Sequence, residues 1–417
     1  MRRDVAVVMV TLLGLSWPAP AAPGDLDPSF SSDGWVRFID VQGHLVDGAE
    51  DVAVQPDGRI VAVASEEGEL GTFNFAVVRL TPDGELDTSF GQGGIAIVDR
   101  GSFETPYALA LQPDGGIVVA GQGVCDLREC FLLARLLPDG RLDAAFGQGG
   151  MVGTVFPGGS VARDVAVAPD GKIVAVGYRR KYGDSLDELR FAVARYRPDG
   201  SLDRSFSRDG RVSIDFGYGN DFANAVAVRR DGGIVAVGEG TRSVYRTKSD
   251  VAVAWLRSNG SVTRTVTTDL GSRREDSALG VAARGSGAVV VGSAGHRDGR
   301  RLAVLRYGSA GRLDASFGKR LLKLGGRGGR GEDVLVQGDG RIVVVGAALG
   351  GSDISDFVVV RLTQSGRRDR SFSGDGVVVT DFGTGVDHIA GVARDGAGRI
   401  VVAGWIYGTL AVARYLA

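Results

Sequence analysis

DVAVQPDGRIVAVASEEGELGTFNFAVVRLTPDGELDTSFGQGGIAIVDR, residues 51–100, decides the fold. Asp51–Gln55 reads as a first strand, A, and Arg59–Ser65 as a second, B. Between them Pro56-Asp57-Gly58 supplies a tight turn, because Pro pre-sets the first turn position and Gly accepts the left-handed one. Phe75–Leu80 reads as strand C and Ile95–Arg100 as strand D, joined by the long turn TPDGELDTSFGQGG. Strands B and C are apolar on both faces (IVAVA, FAVV), whereas a sheet covered on one side alternates apolar and polar. This unit recurs. The phrase LDxSF starts at Leu26, Leu86, Leu142, Leu202 and Leu313, again from Arg368 with Arg for Leu, and in degenerate form as VTRTV from Val262. PDGRIVAV has copies around Gly58, Gly115, Gly171, Gly232, Gly287, Gly340 and Gly398. FAVVRL has copies ending at Arg79, Arg135, Arg195, Trp255, Arg306, Arg361 and Arg414. From Phe30 to Phe372 six intervals average 57 residues.

Four strands per unit, buried on both faces and repeated seven times, predict an all-β fold. The expected form is a seven-bladed β-propeller with four antiparallel strands per blade. A β-solenoid would use shorter coils and need caps. The sequence stops after the seventh strand C, at AVARYLA, and Trp35–Asp40 near the other end reads as the strand that completes that blade and closes the ring. Closure removes exposed sheet edges. Composition agrees: Gly is 66 of 417 residues, Pro only 12, and 44% of the chain is hydrophobic. That is the profile of many tight turns between short strands and excludes disorder or a collagen-like chain. A net charge of −2 makes no case for nucleic acid.

Ahead of the repeats, Arg2 and Arg3, the apolar run Val5–Trp17 and the small residues Ala19 and Ala21 have the layout of a secretory signal peptide. The expected organisation is a signal peptide over 1–21 and one propeller over 24–417, exported to the periplasm, the cell surface or the medium. Thirteen apolar residues are too few to span a bilayer, so the chain is not expected to span a membrane. In an exported protein Cys125 and Cys130 read as a disulfide.

The phrases GxLDxSFGxGG, PDGxIVxxG and FxxxRxxPDG resemble the delta-60 repeat family, bacterial proteins of tandem units of this length. The resemblance covers about 390 residues and is poorest around 250–270. It implies a propeller-like, often exported protein and carries no catalytic residues to transfer.

Six units pair an Arg in strand C with an Asp in LDxSF: Arg79 with Asp87, Arg135 with Asp143, Arg195 with Asp203, Arg306 with Asp314, Arg361 with Asp369, and Arg414 with Asp27. The seventh has Trp255 and Thr263 instead. Loss of both partners together is the mark of a structural ion pair, since removing one alone is costly. Asp51, Asp164 and Asp333 each read as the first residue of a strand A, where they could cap a turn, face solvent, or bind a divalent cation at the central channel. No other cofactor is expected. His44 and His388 fall in connections of neighbouring blades, with Asp387 and Asp51 nearby, and His296 stands apart. GxSxG, HExxH, Walker and CxxC motifs are all missing from the sequence.

The A–B and C–D turns are nearly constant from unit to unit. The B–C and D–A connections, at the opposite end, differ in every unit: SEEGELGT, VCDLREC, YRRKYGDSLDELR, SAGHRDGRR. Variable loops on a rigid scaffold are where binding resides. Those of blades three to six are basic, with Arg179, Arg180, Lys181, Arg242, Arg246, Lys248, Arg273, Arg274, Arg297, Arg300 and Arg301, interleaved with Tyr182 and Tyr245. The expectation is a monomeric binding or scaffold protein, not an enzyme, recognising a protein or an acidic polysaccharide on this face. The alternative is a hydrolase or lyase with a metal or His site in the channel.

Overall fold

The computed structural model describes residues 21–417 apart from 69–70, 182–187, 218, 242–247, 272–274, 297–298, 325, 327, 351–354 and 384; the side chains of Lys181 and His296 are also outside it. The expected signal peptide lies almost wholly outside the described residues.

The described strands form antiparallel units in the order A-B-C-D. The unit quoted above comprises His44–Val54, Ile60–Glu67, Phe73–Leu80 and Ile95–Val98. Strand A therefore begins seven residues before Asp51, and strand D is two residues shorter than the sequence suggests. The same pattern continues through Thr105–Leu111, Ile117–Cys125, Arg128–Leu136 and Met151–Thr154 to the last unit. There Asp387–Arg394, Ile400–Ile406 and Thr409–Tyr415 take Trp35–Phe38 as the fourth strand, with Trp35 opposite Ala413 and Phe38 opposite Leu410. Asp40–Val41 leaves that sheet and makes a small hairpin with the start of His44–Val54.

The longer A strands have a local cause. Each carries an irregularity at the same point, between Ala49 and Asp51, Pro106 and Ala108, Ala162 and Asp164, Ala223 and Ala225, Ala278 and Gly280, Gly331 and Asp333, and Ile389 and Gly391. A bulge inserts one residue without ending the strand and bends it. The strand thus runs on past Asp51, Asp164 and Asp333, which lie inside strand A and not at its start as the sequence reading had them. The bulge also explains the Gly of IVAVG. A Cβ on Gly177 would sit 2.0 Å from the Val161 carbonyl oxygen, and one on Gly346 2.1 Å from that of Arg330.

The core lies between sheets. Val61, Val63, Phe75 and Val77 of one sheet pack on Leu109, Val119 and Leu132 of the next, all buried. The same layering joins the first sheet to the last: Val52, Ile60, Ala62 and Val78 meet Val401, Ala403, Leu410 and Val412. The A strands of successive units pack against one another on the inner side. No helix among the described residues is long and apolar enough to cross a membrane.

Candidate binding face and inner channel

At the constant end, each LDxSF phrase folds around its own aspartate. Asp87 Oδ1 accepts from the Ser89 backbone and hydroxyl at 3.1 and 2.6 Å, and Asp27, Asp203, Asp314 and Asp369 repeat this with their serines. The second carboxylate oxygen faces the strand-C arginine. Arg79–Asp87, Arg135–Asp143, Arg195–Asp203, Arg306–Asp314, Arg361–Asp369 and Arg414–Asp27 are 2.5–2.9 Å apart. Each guanidinium also lies 4.5–4.8 Å from the ring centre of the following Phe. Arg306 Nη1 donates at 2.7 Å to the Gln364 carbonyl of the next unit, so the staple joins units as well as turns. Burial alone would raise Asp27, Asp87, Asp203 and Asp369, but the serine donors and the arginines hold them below the ordinary value. In the exceptional unit Thr263 Oγ1 donates to the Trp255 carbonyl, and Arg229 lies over the Trp255 ring.

Asp51, Asp164 and Asp333 lie between inner strands, each half-buried. Each accepts two backbone N–H groups. Asp164 takes Val165 at 2.6 Å and Val226 of the next unit at 2.6 Å; Asp51 takes Val52 and Leu109, and Asp333 takes Val334 and Val392. Desolvation pushes Asp164 up to about 7 and Asp333 to about 6, and Asp51 is raised further by Asp333 and Asp164. Both oxygens are engaged: Oδ1 holds the next residue of its own strand, and Oδ2 stitches that A strand to the next. The acidic groups spaced to share an ion are elsewhere, at Asp250, Asp269 and Asp276 and at Asp356, Asp381 and Asp387.

The bulge residues, one position earlier, went unnoticed in the sequence: Glu50, Tyr107, Arg163, Asn224, Leu279, Glu332 and Ala390. Arg163 lies 4.3 Å over the Tyr107 ring, and Asn224 Nδ2 donates to the Ala278 carbonyl at 2.9 Å. His388 Nε2 is 2.5 Å from Arg330 Nη2 and 3.2 Å from Glu332 Oε1, and its ring stacks on Trp405 at 5.2 Å. Desolvation raises Glu50, while His388 and Arg163 draw it down. His44 does not join His388: its Nδ1 meets Glu66 Oε1 at 2.8 Å. A signal existed, since each bulge residue directly precedes the recurring A-strand position held by Asp51, Asp164 and Asp333, but strand alternation alone does not reveal a bulge.

On the variable-loop face, Arg179 is half-buried and donates to the Pro157 carbonyl at 2.9 Å. Arg180 meets Glu129 at 3.1 Å, Lys248 meets Asp269 at 2.8 Å, and Arg300 meets Ser293 at 3.0 Å with Glu275 at 3.9 Å. Arg301 is half-buried. Tyr182, Arg242, Tyr245, Arg246, Arg273, Arg274 and Arg297, with the Lys181 side chain, lie outside the described residues. Cys125 and Cys130 form a disulfide across the hairpin tip, where Asp126 and Leu127 both have positive φ, 49° and 61°.

Stacked antiparallel sheets with inner strands around an axis make this an all-β propeller protein. Residues 55–90, 112–146, 168–206 and 337–372 match the family described as "Domain of unknown function (DUF5122) beta-propeller". Among curated proteins none matches. Solved structures similar to this chain include the WD40 β-propeller domain of Doa1 (11% identity, 91% of this chain and 96% of that one, TM-score 0.49). Others are the β-propeller domain of the Trilobed protease from Pyrococcus furiosus (10%, 89% and 95%, 0.45) and the gluconolactonase XC5397 from Xanthomonas campestris (13%, 95% and 97%, 0.42).

Proposed function

We propose that this chain is an exported, seven-bladed propeller of delta-60-type repeats, its ring closed by Trp35–Phe38, that serves as a binding or scaffold protein. It recognises an anionic protein surface or an acidic polysaccharide through the face carrying the B–C and D–A connections. The observation that carries this reading is the contrast between the two ends of the sheets. At one end six of the turns are spent on their own Asp, Arg and Phe contacts. At the other the B–C connections share neither length nor chemistry, and beside them stand the half-buried Arg179 and the exposed Arg300. The pairing of Trp35–Phe38 with Thr409–Tyr415 and the packing of the first sheet on the last support the closed ring. The Cys125–Cys130 disulfide accords with an oxidising compartment.

The test is retention on an immobilised acidic polysaccharide, polygalacturonate, as salt is raised. Retention should fall with ionic strength, because exposed charges are screened beyond about 8 Å at physiological salt. Reversing Arg179→Glu and Arg300→Glu together should abolish it and leave the melting temperature unchanged. Undiminished retention in that double variant overturns the assignment of this face. A second reading, hydrolysis or lyase chemistry in the channel, rests on the His388–Glu332–Arg330 group; it requires an activity that His388→Asn removes.

A further inference from the structure

Three corners where a strand D turns into the next unit's strand A are built alike. Each brings together the residue that opens the buried part of strand C, an Asp at the end of strand D, and a buried Asp at the start of strand A. The sequence carries them as DFGYGND at 215–221, DLGSRRED at 269–276 and DFGTGVD at 381–387.

They differ in how the charge is met. In the first, the strand-C residue is Arg190, and its Nη2 lies 2.6 Å from Asp215 Oδ2. Both oxygens of the buried Asp221 are used, by the N–H groups of Phe216 and Thr241. In the second, Asp250 takes the place of Arg190, and Lys248 Nζ supplies the cation, 2.8 Å from Asp269 and 3.6 Å from Asp250. Again both oxygens of the buried Asp276 accept backbone N–H groups, from Leu270 and Gly295.

The third corner holds Asp356, Asp381 and Asp387, with one carboxylate oxygen of each within 4.8 Å of the others. Among the described residues no Lys, Arg or His pairs with any of the three. Asp387 is 1% exposed. Its Oδ2 accepts the Phe382 N–H at 3.2 Å, but its Oδ1 has no partner, unlike the matching oxygens of Asp221 and Asp276. A buried, orphaned carboxylate oxygen beside two further carboxylates is costly unless a positive charge completes it.

We propose that Asp356, Asp381 and Asp387 form a binding site for one calcium ion, which takes the place that Arg190 and Lys248 fill in the sister corners. Three hard oxygen ligands, with neither His nor Cys among them, select calcium or magnesium over zinc or copper. Calcium–oxygen distances of about 2.3–2.6 Å let ligands lie up to ~5 Å apart across the ion, whereas magnesium at about 2.0–2.1 Å draws them within ~4.2 Å. Carboxylates drawn from two strands and the connection between them suit calcium's flexible coordination better than the near-octahedral shell magnesium demands. The site ties strand Ser355–Leu362 to the next unit beside the Ser355–Val386 bridge, and so rigidifies the variable-loop face.

The test uses the full chain stripped with EDTA and titrated with calcium alone, read by equilibrium dialysis and by melting temperature. One calcium per chain, a rise in melting temperature and a weaker response to magnesium are expected. Asp381→Asn, at an exposed ligand, should weaken calcium binding at least tenfold and remove the rise. Asp356→Arg, which copies Arg190, should also abolish calcium binding while raising the melting temperature in EDTA. No binding at millimolar calcium overturns the proposal. So does binding that both variants leave unchanged, which would place the ion elsewhere, for example at Asp51, Asp164 and Asp333.

Discussion

At the scale of single residues, the staple of strand C to its turn recurs in six units. Arg195 is 6% exposed and Asp203 2%, so truncating one leaves the other buried with much of its charge unmet. Without Arg195, Asp203 keeps its Ser205 donors and a single cation, Lys172, at 3.8 Å. Arg195→Ala is therefore expected to cost about 3–5 kcal/mol of stability, the range for breaking a buried pair. The unit with Trp255 and Thr263 shows how the chain dispenses with the pair: an indole under Arg229 and a hydroxyl that caps the Trp255 carbonyl. Replacing both partners in the same way, Arg195→Trp with Asp203→Thr, should cost less than Arg195→Ala alone. Urea unfolding of the single and double variants measures this, and a double variant that loses the sum of two single losses would remove the explanation.

At the scale of elements, the bulge in strand A governs its neighbour in strand B. Because the A strand bends toward B there, the facing residue is Gly in the units holding Gly121, Gly177, Gly238, Gly292, Gly346 and Gly404, each with a backbone carbonyl within about 2 Å of where its Cβ would stand. Gly177→Ala must push the Val161 carbonyl aside or straighten the bulge, and an overpacked core site costs about 1–3 kcal/mol. The same substitution at Gly171, a turn glycine whose nearest neighbour is the Pro198 ring at 3.6 Å, meets no such clash, although its φ of 79° still strains a side chain. Loss of stability at Gly177 with inner-strand amides exchanging faster than those of strand C is the expected hydrogen-exchange pattern. Straightening the bulge would also turn Arg163 away from Tyr107, so element geometry and channel lining are one property.

At the scale of the whole molecule, two sets of aspartates oppose each other in pH. Asp164 and Asp333 have folded-state values raised to about 7 and about 6 by desolvation, and Asp51 is raised as well. A raised carboxyl contributes stability that is fully present below its unfolded value and is lost as pH rises through the folded one. The LDxSF aspartates 27, 87, 203 and 369 are lowered, so their contribution is present above the unfolded value and is lost as pH falls through the folded one. Together they place the stability maximum in mildly acidic solution, with a decline toward and beyond about pH 7. Melting temperature measured from pH 4 to pH 8 checks this. Asp164→Asn, which keeps one carbonyl acceptor but cannot ionise, should flatten the decline; an unchanged slope would show that these inner carboxylates do not control it.

Much of the architecture was legible in the sequence because each unit must bury sheets on both faces, and that demand writes the same apolar runs, turn residues and Arg–Asp positions into every copy. The phrases locate strands B and C, the turns, and the residues of each staple, since these are local features set by a few neighbours in the chain. What escaped the sequence depends on contacts between units. The recurring Asp one position later marks Glu50, Arg163 and Glu332 in the sequence, but an unseen bulge reverses the alternation on which a reading of their direction relies. Nor could His44 and His388 be separated by sequence position: one meets Glu66, the other Glu332, Arg330 and Trp405. The aspartates that looked most like ligands, Asp51, Asp164 and Asp333, are consumed by backbone N–H donors of the following unit. Asp356, Asp381 and Asp387, which have no counter-charge among the described residues, come from two strands and the connection between them. Local spacing determined the repeating sheet; only the packing of one sheet on the next decided which carboxylates are satisfied and which are left facing each other.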